Sequence, residues 1–123
     1  MKVVLSGVDA GAWSLVALQV ILEREGHVVC VAADVLEACR REQPDCLVLS
    51  ATDGGADCAH VITRVRANPA LTRLPTVIAG RLDLPRRELL ALGFDEAFPA
   101  TTDAPGQAVV LLRLYLGRVV VSV

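Results

Sequence analysis

The sequence predicts a three-layer α/β domain built on a five-stranded parallel sheet. Three observations carry that prediction. Five short apolar runs, at 2–6, 27–33, 45–51, 76–79 and 95–98, recur along the chain. A segment of helical length follows each of them, so strand and helix alternate throughout. The runs are continuous in apolar character, as in DCLVLSA at 45–51, and that suits strands covered on both faces.

The first run, KVVLS, reads as a buried strand closed by a turn containing Gly7, Asp9 and Gly11. Residues 12–25 form a long helix, apolar over a wide arc, which Gly26 stops. HVVCVAA at 27–33 is the second strand, and Asp34 caps a helix over 35–42 that Pro44 ends. After the third strand the loop TDGGAD leads into a helix at 57–67. The fourth strand is TVIA at 76–79. Pro85 falls in the first turn of a helix that runs to Leu92 and stops at Gly93. A short strand at 95–98 and a helix from Pro105 to Leu116 complete the pattern. Right-handed crossovers then place helices on both faces of the sheet. Residues 1–118 are expected to form one domain, with 119–123 (VVVSV) an apolar tail or linker stub.

Composition narrows the function. The chain has 123 residues, 54% of them hydrophobic, and a net charge of -2. No clustered basic face for nucleic acid is expected from that balance. No stretch reaches the roughly 18 apolar residues of a membrane span. The first residues also lack a secretory h-region, so a cytoplasmic location is expected. Cys30, Cys39, Cys46 and Cys58 lie in no CxxC pair and read as buried thiols, not as metal ligands or disulfides. The turn SGVDAG contains neither GxGxxG nor GxxxxGK[ST], and no flavin, nucleotide or other cofactor is expected.

Several segments taken together resemble the receiver domain of two-component response regulators. They are EREGHVVCVAADVLEACRREQPDCLVLS, RVRANPALTRLPTVIAG and GFDEAFPA, and the resemblance covers about residues 2–116. It implies a flavodoxin-like (βα)5 topology. It also implies a phosphorylation site at the carboxyl ends of the strands. There the family carries an acceptor aspartate ending the third strand, an acid pair after the first that helps hold Mg²⁺, a hydroxyl ending the fourth and a lysine ending the fifth. Carried over residue by residue, the acceptor falls on Ser50 and the acid pair on Gly7 and Val8, with Asp9 just beyond. The hydroxyl falls on Gly80, followed by Arg81, and the lysine on Ala100, followed by Thr101. Each position departs from the family pattern.

Much of that departure is independent of register. The chain has no lysine after Lys2, and Asp9 is the only acid before Glu23. Between Asp45 and Asp53 there is none, so hard oxygen ligands for Mg²⁺ are missing. An un-ionised serine with no base beside it is a poor acceptor from phosphohistidine. The expectation is an atypical receiver that has lost its phosphoacceptor, is not an enzyme, and works in signal transduction through a protein partner. The alternative is a small-ligand sensor, with an anion or metabolite in the vacated pocket near Ser50, Arg81 and Thr101, where the Arg81 guanidinium suits an anion. Asp9 and Asp53 have turn and capping roles available to them as well as cation binding. The helix AVVLLRLYL at 108–116 is apolar nearly all round. Such a helix suits a partner surface, and the receiver resemblance implies an interface, including a homodimer, through the fourth helix, fifth strand and last helix, with Phe98, Val109, Leu112, Arg113 and Leu116 as the candidates.

Overall fold

The computed structural model describes residues 1–8, 13–54 and 57–99, with the backbone alone at 13–17, 52–54 and 99. In chain order the elements are β1 (Lys2–Gly7), α1 (Trp13–Arg24), β2 (Val28–Val31), α2 (Val35–Glu42), β3 (Cys46–Gly54), α3 (Cys58–Ala67), β4 (Thr76–Leu82), α4 (Arg86–Leu92) and β5 (Glu96–Pro99). The five strands form one sheet in the order β2-β1-β3-β4-β5, and every pairing is parallel. This is the flavodoxin-like topology, with its reversal of strand order between β1 and β3. The expected helix at 105–116 and the tail at 119–123 lie outside the described residues.

Alternation along the strands divides the core into two layers. Leu47, Leu49 and Ala51 of β3 face one side, where α2, α3 and α4 contribute Ala38, Cys39, Ile62, Val65 and Leu89. Cys46 and Val48 face the other side, together with Leu18 and Leu22 of α1. A strand with large apolar residues on both faces is stable only between two helical layers, which explains the absence of a polar face in β1 and β3.

Local chemistry sets the boundaries. Asp34 caps α2 as expected, its Oδ1 accepting from the Glu37 N–H at 3.2 Å. The helix ends at Glu42, and its C-cap Gln43, just before Pro44, adopts a left-handed φ of 47° and donates its N–H to the Cys39 carbonyl. Gly93 closes α4 at φ 123°, a conformation that favours glycine. Pro85 precedes α4 as its N-cap and does not enter its first turn.

The strands differ from expectation at the functional end of the sheet. β2 is shorter than 27–33. β3 continues through the segment read as a loop to Gly54, and β4 runs three residues past Ala79 to Leu82. The two pair at Ala51–Gly80 and again at Gly54–Leu82, with a register shift between. A bulge of this kind takes up the extra residues without ending the ladder. No helix among the described residues is long and apolar enough to cross a membrane.

Candidate functional site

In an open parallel sheet, the crevice for chemistry lies beyond the carboxyl ends of the strands at the switch in strand order. Here that point falls between Gly7 and Ser50, which are register partners across β1 and β3. Ser50 also pairs with Ala79 of β4. Its carbonyl accepts a hydrogen bond from the Val8 N–H at 3.0 Å. The side chain is 1% exposed and, by alternation, faces the α1 layer beside Val48. Ser50 does not end its strand. The ladder passes it by four residues.

The neighbouring positions are equally unlike a cation site. Val8 is buried in the α2–α3–α4 core layer, where its isopropyl group supplies packing and no oxygen ligand. Gly80 adopts a φ of 124°, and a Cβ placed there would lie 1.9 Å from the Ala51 carbonyl oxygen. The backbone itself thus bars any hydroxyl-bearing residue at that place. Arg81 is exposed at the outer end of β4. Asp53 falls in the β3 extension, where the backbone alone is described, and Asp9, Ala100 and Thr101 lie outside the described residues. Among the described residues, no group of three or more His, Cys, Asp or Glu could hold a metal ion.

A groove of about 380 Å³ opens beside Gly7, between α2 and α3, where no site was expected. Its walls include Asp34, Val35, Leu36, Val61 and Arg64, and Arg81 does not line it. Gly7, at the end of β1, was its only visible signal in the sequence.

Of the expected interface residues, Phe98 needs correction. It is 7% exposed and packs in the α1-side layer with Val77 and Ala79, so an aromatic side chain read as surface belongs to the core. Val109, Leu112, Arg113 and Leu116 lie outside the described residues. Cys39, Cys46 and Cys58 are buried as expected, whereas Cys30 is only half-buried. Burial pushes the thiol of Cys39 up to about 11 and that of Cys46 up to about 12, and it raises Cys58 as well. These three are therefore poor nucleophiles.

The fold resembles that of several solved proteins. The chain is similar to the receiver domain of a sensor histidine kinase from Pseudomonas aeruginosa, a structure with a magnesium ion coordinated in its active-site cleft. The TM-score is 0.67 and the identity 19%, with 92% of each chain covered. It is also similar to a response regulator from Desulfuromonas acetoxidans, with TM-score 0.67, 16% identity, and coverage of 97% of this chain and 95% of that one. A third similar structure is the signal receiver domain of a signal transduction histidine kinase from Syntrophus aciditrophicus. There the TM-score is 0.64 and the identity 21%, with 99% and 91% covered. The chain has the receiver fold. No protein-family model matches it, and no curated protein does. At these identities the receiver fold is what is shared, and the site residues must be judged one by one.

Proposed function

We propose that this chain is an atypical receiver domain that acts in signal transduction by binding a protein partner, without being phosphorylated. The observation that carries this reading is Ser50. By the receiver resemblance it falls where that family has its phosphoacceptor; it is 1% exposed, and its strand continues beyond it. A phosphoryl donor must reach its acceptor in line, and a buried hydroxyl in the middle of a strand offers no such approach. The surroundings agree. Phosphoryl transfer depends on a divalent cation and fixed positive charge to offset developing negative charge. Val8 and Gly7 supply no carboxylate, and no lysine follows Lys2.

A domain without that chemistry keeps its surface as its means of action. The expected partner is a protein of a signalling pathway, reached through α4 and the segment after β5 that includes Val109, Leu112, Arg113 and Leu116. The test is incubation of the intact chain with acetyl phosphate and Mg²⁺, followed by intact-mass measurement. The expected result is an unchanged mass. An added phosphoryl group mapping to Ser50, Asp53 or Asp9 overturns the reading.

A further inference from the structure

The geometry points to a second, separate interaction surface: the outer edge of β2 pairs with β2 of another copy of this chain. Among the described residues, β2 is one border of the sheet and β5 is the other. The two borders are protected very differently. β5 carries Glu96, held by Arg86 at 2.6 Å, and ends at Pro99, and both a charge and a proline discourage a further strand. Between His27 and Asp34 the β2 segment VVCVAA has no charge and no proline. Val28 is 64% exposed and Val31 44%, the most exposed large hydrophobic side chains among the described residues.

The backbone fixes how two such edges meet. The Val28 N–H donates to the Met1 carbonyl at 3.0 Å, and the Ala32 N–H to the Leu5 carbonyl at 2.9 Å, both toward β1. By alternation, Val29 and Val31 turn their N–H and C=O groups outward. An antiparallel two-fold pairing must match these outward residues with each other. Centred on Cys30, it sets Val29 opposite the second copy's Val31 and Cys30 opposite its own counterpart, and every residue paired from 28 to 32 is uncharged. Centred on Val31, it would bring Asp34 against Val28. The Cys30-centred pairing also lays Asp34, at one end of the strand, near the start of the other copy's strand. There Arg24 and the ammonium of Met1, bonded to His27 Nδ1 at 3.2 Å, outnumber Glu25. The result is one continuous ten-stranded sheet that leaves α4 free.

Facing non-hydrogen-bonded residues have Cα atoms about 4.5 Å apart, within the span of a disulfide. The experiment is therefore sedimentation of the intact chain over a wide concentration range, together with oxidation by copper phenanthroline and peptide mapping. The oxidant converts two Cys30 thiols into one disulfide. The expected result is a dimer that yields a Cys30–Cys30 peptide and that is lost in Val31→Lys. Val28→Lys repeats the test should the first variant not fold, since both side chains are exposed. A chain that stays monomeric at every concentration overturns the proposal. So does a dimer that persists in both lysine variants without the Cys30 link, because its contact then lies elsewhere, as at residues 109–116.

Discussion

Gly80 decides more than its size suggests. Its φ of 124° lets β4 carry on past the register shift, and its Cα lies close against the Ala51 carbonyl. Gly80→Ala combines a strained backbone with a direct clash, and it should lower stability by about 2–4 kcal/mol in urea unfolding. Gly80→Ser should do the same, because the obstacle is the main chain. Arg66 is a second single-residue determinant. Its Nε donates to the Gly93 carbonyl at 2.9 Å, and Nη1 donates to the carbonyls of Thr72 and Leu74 at 3.1 and 2.9 Å. Nη2 meets Asp95 Oδ2 at 2.7 Å, and the same oxygen accepts from the Thr76 N–H at 2.7 Å. One planar guanidinium thus ties α3 to the loops before β4 and β5. Arg66→Ala should cost about 2–4 kcal/mol in the same assay, and Arg66→Lys should recover little, since an ammonium cannot reach four acceptors at once. His27 acts on stability through pH. Burial first, and then the nearby Met1 ammonium, holds its imidazolium pKa below the usual 6.5. The unfolded chain therefore binds this proton more readily than the folded one. Stability is full above the unfolded value and falls as pH drops from there toward the folded value. The urea midpoint should decline as pH is lowered through about 6.5, and His27→Asn should flatten that decline.

At the scale of elements, punctuation was the most legible part of the sequence. Asp34, Gly26 and Gly93 mark helix ends in both the reading and the structure, since capping and positive φ are local properties of single residues. Asp34→Ala should therefore cost about 1 kcal/mol, seen as a lowered thermal midpoint with the fold retained. The strand ends of β3 and β4 were not legible in the same way. Thr-Asp-Gly-Gly carries every sign of a loop, yet strand pairing reaches Gly54 because β4, through Gly80, stays beside it. Pairing between residues nearly thirty apart leaves no trace in local composition. Phe98 failed for a related reason. Its neighbours in sequence give no hint that Val77 and Ala79 lie beside it on the same face.

For the whole molecule, the alternation of five apolar runs with helices was enough to yield the parallel sheet with right-handed crossovers, whereas the strand order followed only from the receiver resemblance. The candidate site was legible mainly as a set of missing groups: no lysine after Lys2, no acid pair after β1. Its positive features arise only from the folded chain: the buried Ser50, the barred side chain at Gly80 and the groove beside Gly7. These features bear on ligand linkage. A domain that binds Mg²⁺ with a phosphoryl mimic only when folded gains stability as RT ln(1 + [L]/Kd), which is about 2.7 kcal/mol at a hundredfold excess over Kd. Val8 and Gly7 offer such a ligand no carboxylate, and the Ser50 hydroxyl is enclosed. Excess Mg²⁺ with beryllofluoride should therefore leave the thermal midpoint of this chain where it stands in buffer alone, when followed by circular dichroism. A rise that depends on both components together would mean that the segments around Asp9 and Asp53 assemble a working cation site, and it would overturn the proposed phosphorylation-independent reading.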